Sequence, residues 1–373
     1  MKRREIFKAG LAVGLVGLAP RLALAQATFA PTPKGWRTFV LTTRVEPLNG
    51  VTKAWIPLPT FEAADWQRPG TVGFTGNAKT MERVRDPKYG AEMLQVEWAA
   101  DQQNPAVEVT TQVQTQNRSA FGDKPASITP LSDEERKRSL AGTELIPTDG
   151  LVKSTADEIV RGKYAGMADG RSRGNDIDKA RAIYEWVVDN TFRNPKTLGC
   201  GVGDVASMIK AGNLNGKCAD LNALFVGLAR AAGLPARDIY GIRVVPSEFG
   251  FKALGAGSEV VTKAQHCRAE VWLQDTGWTP MDPADVRKVV LEEPPGNLAM
   301  TDPKVLAARK ALFGAWEGNW VAFNRAADVK LPGSSQPPIG FLMYPQGENK
   351  AGPVDSLDPD TFKYRITARE LTA

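Results

Sequence analysis

The sequence of 373 residues contains one histidine, His266. A zinc site built from two or three histidines is therefore excluded, and the three cysteines lack C-x-x-C spacing. The G-x-S-x-G turn of serine hydrolases and the G-x-x-x-x-G-K-[ST] loop of nucleotide-binding proteins are also missing from the sequence. We therefore predict no metal and no cofactor. If catalysis uses a histidine base, that base is His266.

The first 27 residues have the order of a secretory signal peptide. Lys2, Arg3 and Arg4 precede an apolar stretch at 9–18, and small residues around Ala25 follow. That stretch is too short to span a bilayer, and no later apolar run is long enough. We predict a cleaved signal at 1–27 and a periplasmic protein without a transmembrane segment. The paired arginines resemble a twin-arginine signal, with an ordinary Sec signal as the alternative.

The basic residues of 1–27 account for most of the formal net charge of +5. The mature chain is therefore close to neutral, and its charge does not indicate a nucleic-acid partner. The cysteines are Cys200, Cys218 and Cys267, an odd number, which predicts at least one free thiol. A disulfide between Cys200 and Cys267 stays an open alternative. After twin-arginine export, which follows folding in a reducing cytosol, the fold should not depend on that bond.

The order of sequence patterns predicts an α+β fold behind a small all-β domain. Residues 34–120 alternate apolar and polar side chains, as half-buried strands of a β-sandwich do. A polar linker is predicted at 121–147, a catalytic core of helices followed by strands at 148–346, and a C-terminal strand or tail at 347–373. Oligomeric state is not indicated by any pattern.

Cys218 stands at the start of the clearest predicted helix, which runs to about Ala232. A buried apolar stripe supports this helix, and Gly233 and Pro235 end it. A thiol at a helix N-terminus is favoured as thiolate, and the unpaired N–H groups of the first turn can stabilise an oxyanion. Gly216 permits a tight turn before the nucleophile. These features predict that Cys218 is a nucleophile rather than a small buried apolar residue.

His266 and an aspartate are predicted to meet across a β-hairpin. His266 begins one strand, and Asp282 ends the strand that returns antiparallel to it after a turn at Asp275-Thr276-Gly277. A carboxylate there can accept the second imidazole N–H and fix the orientation of the ring. The register is not readable from sequence, so Asp285 and Asp275 remain alternatives to Asp282.

The segments around these three residues resemble the transglutaminase-like superfamily. The resemblance lies in Gly216-Lys217-Cys218-Ala219-Asp220, in His266-Cys267-Arg268-Ala269-Glu270-Val271-Trp272 and in Met281-Asp282-Pro283. It is specific between about Tyr184 and Val286, and it implies a papain-like core with the thiol-bearing helix packed on an antiparallel sheet. Arg268 departs from the aromatic residue that many members carry two positions after the histidine. The calcium sites of animal transglutaminases are not visible.

The resemblance implies a Cys218–His266–Asp282 triad for acyl transfer on peptide, protein or other amide substrates. Asn213 and Asn215 are the candidates for a second oxyanion donor. Without a dedicated amine site, water is the expected acceptor, which favours a peptidase or amidase over a crosslinking enzyme. Arylamine N-acetyltransferases share the triad but carry R-G-G-x-C, whereas Asn215-Gly216-Lys217 precedes Cys218 here. The alternative from another class is a catalytically silent module that binds peptide or envelope polymer.

Overall fold

The computed structural model describes residues 28–48, 50–122, 128–162, 175–358 and 360–372. The predicted signal peptide at 1–27 lies outside these ranges. Within them, no helix has the length and apolar character that a membrane crossing requires. The described chain combines seven α-helices with antiparallel sheets, which confirms the predicted α+β class.

Two antiparallel sheets form a sandwich from both ends of the chain. The first consists of β1 (Arg37–Pro47), β3 (Gln67–Gly76), β6 (Val107–Thr115) and β19 (Phe362–Leu371), in the order β19-β1-β6-β3. The second consists of β2 (Lys53–Pro57), β4 (Thr80–Arg85), β5 (Glu92–Glu97), β17 (Gln346–Asn349) and β18 (Gly352–Val354), in the order β18-β17-β2-β5-β4. Apolar side chains from both sheets share one buried cluster, which includes Val45, Val107, Val109, Ala54, Ile56 and Val96.

The C-terminal strands belong to this sandwich. Strand β19 pairs with β1 from Thr38 opposite Leu371 to Pro47 opposite Phe362, and β17 pairs with β2. The segments 34–120 and 347–373 therefore share their sheets. The predicted domain limits stay predictions.

Seven helices lie between the two groups of sandwich strands. They are α1 (Asp133–Leu140), α2 (Gly150–Arg161), α3 (Asp176–Asn190), α4 (Val205–Lys210), α5 (Cys218–Ala231), α6 (Pro283–Glu292) and α7 (Pro303–Ala311). Helix α1 falls inside the segment predicted as a linker. Its N-terminus is capped by Ser132, whose hydroxyl accepts a hydrogen bond from the Glu135 N–H at 3.2 Å.

Helix α5 is central to the fold and packs on an antiparallel sheet. That sheet consists of β10 (Ala236–Arg243), β11 (Gln265–Leu273), β12 (Gly277–Met281) and β14 (Trp320–Asn324), in the order β12-β11-β10-β14. Helices α2, α3 and α6 cover the other sides of α5, and every residue of α5 is buried. The chain leaves the helix through Gly233 at φ +86°, a left-handed conformation that glycine adopts without strain.

Three two-stranded sheets complete the described fold. They are β7 (Arg118–Ser119) with β13 (Ala315–Trp316), β8 (Phe192–Arg193) with β9 (Asn215–Gly216), and β15 (Ala327–Val329) with β16 (Ile339–Phe341). The parallel pair β8–β9 leads the chain directly to Cys218. Cys218, at the N-terminus of α5, belongs to a buried cluster that also includes Phe39, Leu41, Val113 and Ile366 of the first sandwich sheet.

Candidate active site

Cys218 is the first residue of α5, and a neighbouring carboxylate fixes the turn that precedes it. Asp220 accepts hydrogen bonds from the N–H groups of Lys217 at 2.9 Å, Gly203 at 2.9 Å and Val202 at 3.0 Å. A Cβ atom at Gly216 would lie 2.3 Å from Asp220 Oδ2, so a larger residue does not fit there. The sequence predicted that Gly216 permits a tight turn, and the structure adds a steric reason for glycine at this position.

The Cys218 thiol is buried beside two further thiols. The residue is 3% exposed, and the sulfur atoms of Cys200, Cys218 and Cys267 all lie within 4.8 Å of one another. All three cysteines are free, so the Cys200–Cys267 disulfide left open by the sequence is absent between these described residues. Burial by itself raises the pKa of Cys218. Hydrogen bonds from Cys200 and Cys267, together with the hydrogen bond and charge of His266, outweigh burial and hold that pKa well below its ordinary value.

His266 lies near the start of β11 and faces two carboxylates. Its Nε2 atom is 2.7 Å from Asp282 Oδ2 and 3.3 Å from Asp285 Oδ2. Burial and the nearby Arg243 lower the pKa of His266, but the two carboxylates raise it to about 9. The imidazole is therefore protonated at neutral pH. Because Nε2 faces the carboxylates, Nδ1 is the ring nitrogen left for the Cys218 sulfur.

The structure brings Asp282 and Asp285 to His266 and leaves Asp275 away from it. Asp282 caps the N-terminus of α6, where its Oδ1 accepts the Asp285 N–H at 3.1 Å. Asp275 is exposed in the turn between β11 and β12, at the end of the hairpin opposite to His266. Antiparallel pairing of β11 with β12 produces this separation. Asp282 thus makes the contact that the sequence predicted, and Asp285 adds a second carboxylate.

The two carboxylates are not equivalent. Arg243 donates two hydrogen bonds from Nη2 to Asp285, at 2.6 and 2.8 Å. Burial opposes ionisation of Asp285, but Arg243 and His266 hold its pKa well below the ordinary value. Burial and the charge of Asp285 instead raise the pKa of Asp282. Asp285 is therefore engaged mainly by the arginine, whereas Asp282 is the closer partner of His266.

Asn222 and Arg268 hold Asp282 in place, and sequence reasoning did not assign them these roles. Asn222 Nδ2 donates to the Cys267 carbonyl at 2.8 Å and to Asp282 Oδ1 at 3.1 Å. Arg268 Nε lies 3.7 Å from Asp282 Oδ2. Its guanidinium also stacks over two tryptophan rings, those of Trp316 and Trp320. A signal for Asn222 existed, since it is a polar residue one turn after Cys218 in an otherwise apolar helix face.

The two predicted oxyanion candidates join an amide network. Asn215 Nδ2 donates to the side-chain oxygen of Asn213, and Asn215 Oδ1 accepts from Asn194 Nδ2 at 2.9 Å. The N–H of Ala219, in the first turn of α5, donates to the Cys200 carbonyl at 2.9 Å. An oxyanion role for Asn213 or Asn215 stays a prediction.

Two groups of side chains at this site have donor atoms close enough for a metal ion. They are the three sulfurs and the set of His266, Asp282 and Asp285. In the second group, Arg243 already supplies a positive charge to Asp285. In the group of three sulfurs, the hydrogen bond to Cys218 raises the pKa of Cys200, and burial raises the pKa of Cys267. Both thiols are therefore kept protonated. Cysteine binds a metal as the thiolate, so a cation at the first group would have to displace the protons of Cys200 and Cys267.

The chain is similar to several known proteins. The sequence model described as the transglutaminase-like superfamily matches residues 166–283. An uncharacterized protein of Haemophilus influenzae is 37% identical over 337 residues, which cover 87% of each chain. Among solved structures, a candidate cysteine protease from Cytophaga hutchinsonii is 14% identical, with 91% of this chain and 99% of that chain covered and a TM-score of 0.46. The periplasmic domain of TgpA from Pseudomonas aeruginosa is 15% identical, with 68% and 88% covered and a TM-score of 0.35.

Proposed function

Because the chain belongs to the transglutaminase-like superfamily, we propose that it is an exported acyl-transfer enzyme with Cys218 as its nucleophile. His266 is the acid–base group, and Asp282 orients it. The observation that carries the proposal is the buried pair of His266 and Asp282 at 2.7 Å beside a thiol of lowered pKa. A base next to a thiol and oriented by a third group is the arrangement that activates a nucleophile.

The reaction begins from a thiolate and an imidazolium. Cys218 sulfur attacks the carbonyl carbon of an amide, and the carbonyl oxygen becomes an oxyanion. His266 then gives its Nδ1 proton to the leaving nitrogen as the C–N bond breaks, and an S-acyl enzyme remains. Asp282 keeps Nε2–H fixed throughout, so the ring presents the same nitrogen to the sulfur and to the leaving group.

The second half of the reaction transfers the acyl group to water. Neutral His266 takes a proton from water at Nδ1, and the oxygen attacks the thioester carbon. The C–S bond breaks, the acid leaves, and the thiolate–imidazolium pair is restored. An amine in place of water would give crosslinking. We favour water, and therefore peptidase or amidase activity, because the sequence indicates no dedicated amine site.

A backbone N–H is the oxyanion donor that we assign at the nucleophile. The Ala219 N–H already donates a hydrogen bond to the Cys200 carbonyl at 2.9 Å. We therefore assign the oxyanion to the Cys218 N–H, the backbone donor of the nucleophile itself. Asn213 and Asn215 are the proposed side-chain donors. A donor of this kind contributes about 3–4 kcal/mol to transition-state stabilisation in comparable enzymes.

We propose that the enzyme acts in the periplasm on peptide, protein or other amide substrates. The signal-like order of 1–27 and the near-neutral charge of the remaining chain support export and argue against a nucleic-acid partner. Cys218 and His266 are each 3% exposed, so little of either residue is open to a substrate.

This burial also favours the second candidate, a catalytically silent module that binds peptide or envelope polymer. The two functions differ in whether a covalent intermediate forms. Acylation by p-nitrophenyl acetate, read by mass spectrometry of the tryptic peptide 218–230, separates them. The proposed enzyme gives an acetyl adduct on this peptide and a burst of p-nitrophenol, and Cys218→Ala gives neither. A folded wild-type protein that stays unmodified would contradict the enzyme and support the binding module. Incubation with periplasmic extract then identifies the natural acyl group.

A further inference from the structure

Two protonated thiols surround the reactive sulfur; they donate hydrogen bonds to it, but neither forms a covalent bond in acyl transfer. The sulfur atoms of Cys200 and Cys267 lie within 4.8 Å of Cys218 Sγ and of each other. All three residues are buried, with exposures of 6% for Cys200, 3% for Cys218 and 0% for Cys267. A nucleophilic triad forms bonds through one thiol, so the other two remain available for covalent chemistry of their own.

The three sulfurs differ in protonation. Cys218 has a pKa well below its ordinary value, whereas the pKa values of Cys200 and Cys267 are raised. A thiolate is the form that reacts with hydroperoxides, and an adjacent thiol is the group that captures the sulfenic acid produced. The cluster therefore contains both partners of a reversible oxidation.

Cys200 is better placed than Cys267 to be the capturing thiol. It lies in the loop before α4, and its carbonyl accepts the N–H of Ala219 at 2.9 Å, so its main chain already adjoins that of Cys218. Gly199 and Gly201 flank it with φ of +52° and +91°. Cys267, in contrast, is held within β11 opposite Tyr240, and its sulfur lies 3.9 Å from Met343 Sδ.

We propose that Cys218 is a redox-modification site that forms a reversible disulfide with Cys200 when a hydroperoxide oxidises it. Cys218 sulfur attacks one peroxide oxygen, and an S–O bond forms as the O–O bond breaks. The second oxygen leaves with the electron pair of that bond and takes the imidazolium proton of His266, and Cys218 becomes a sulfenic acid. Cys200 sulfur then attacks Cys218 sulfur, the S–O bond breaks, and hydroxide leaves with the Cys200 proton as water. With hydrogen peroxide, two thiols are oxidised and two waters form. The disulfide blocks the nucleophile and prevents its irreversible oxidation.

The proposal rests on the reactive thiolate of the proposed function, but different measurements test the two. Trypsin places the cysteines on separate peptides, at 197–210, 218–230 and 264–268. Purified reduced protein is treated with hydrogen peroxide, alkylated and digested. We expect a linked pair of peptides 197–210 and 218–230, loss of iodoacetamide labelling at Cys218, and recovery of that labelling with dithiothreitol.

Two variants sharpen the result. Cys200→Ser should lose the recovery, because Cys218 then proceeds to sulfinic acid, whereas Cys267→Ser should keep both the linked peptides and the recovery. Peptide 218–230 linked to 264–268, or Cys218 oxidised without any linked peptide in the wild type, would overturn the proposal. Recovery by a chelator instead of dithiothreitol would also overturn it. Labelling of Cys218 in reduced protein, with no disulfide after peroxide, would leave acyl transfer intact and remove only this inference.

Discussion

His266 Nε2 lies 2.7 Å from Asp282 Oδ2, and the same nitrogen lies 3.3 Å from Asp285 Oδ2. One imidazole therefore faces two buried carboxylates. Arg243 engages the second carboxylate with two hydrogen bonds, at 2.6 and 2.8 Å. From this difference we propose separate tasks for the two aspartates: Asp282 orients His266, and Asp285 anchors a buried arginine.

Asp282→Asn should lower turnover strongly without a large loss of stability. The amide cannot stabilise imidazolium or fix the ring tautomer as a carboxylate does, so we expect kcat to fall by roughly 10²–10⁴-fold. Asparagine still caps α6 about as well as aspartate. Steady-state kinetics and thermal unfolding of the purified variant measure the two effects. Turnover equal to that of the wild type would assign the orienting role to Asp285.

Asp285→Asn should mainly destabilise the protein. It removes the counter-charge of Arg243, which is 2% exposed, and unpairing a buried charge costs about 3–5 kcal/mol. Unfolding in urea provides the measurement. The matched control is the double variant Arg243→Met/Asp285→Leu, which removes both charges and should recover most of the loss. A double variant as unstable as Asp285→Asn would show that the ion pair is not the cause.

Gly216→Ala should disrupt the turn before the nucleophile. The new Cβ would lie 2.3 Å from Asp220 Oδ2, and Asp220 holds the N–H groups of Val202, Gly203 and Lys217. We expect a lower melting temperature and slower alkylation of Cys218. Gly73→Ala, where a Cβ would meet nothing within 4 Å, is the matched control and should change neither. Equal effects of both substitutions would refute the steric explanation.

Turnover should fall above about pH 9, whereas alkylation of Cys218 should not. The pKa of His266 is raised to about 9, so the proton needed by the leaving group is present below that pH and lost above it. The thiolate persists at high pH, so its alkylation continues. A pH profile of kcat/KM that keeps rising beyond pH 10 would contradict a protonated His266 as the acid.

The sequence predicted those parts of the site that depend on local pattern. The apolar stripe before Gly233 predicted α5, and the turn at 275–277 predicted the hairpin that returns Asp282 to His266. The resemblance to a known superfamily supplied the order of the three residues. Helix propensity, turn chemistry and motif order are all short-range signals.

Long-range packing explains what the sequence did not predict. The Arg243–Asp285 ion pair and the sulfur cluster join residues from separate elements, and hydrophobic periodicity does not specify which elements meet. Strand β19 pairs with β1 across almost the whole chain, which no local pattern signals. Helix α1 was not predicted because its charged face lacks an apolar stripe, although Ser132 and Glu135 have capping-box spacing.

The rate of iodoacetamide alkylation at Cys218, followed by mass spectrometry of reduced wild-type protein between about pH 6 and about pH 8, is the most direct test of the thiolate–imidazolium pair. Cys200 is the internal reference because its 6% exposure exceeds the 3% of Cys218. We predict a rate for Cys218 that is at least about tenfold above that of Cys200 at pH 7 and depends less on pH, since the pKa of Cys218 is held well below its ordinary value. A Cys218 rate that rises about tenfold per pH unit, in parallel with Cys200, would contradict the account.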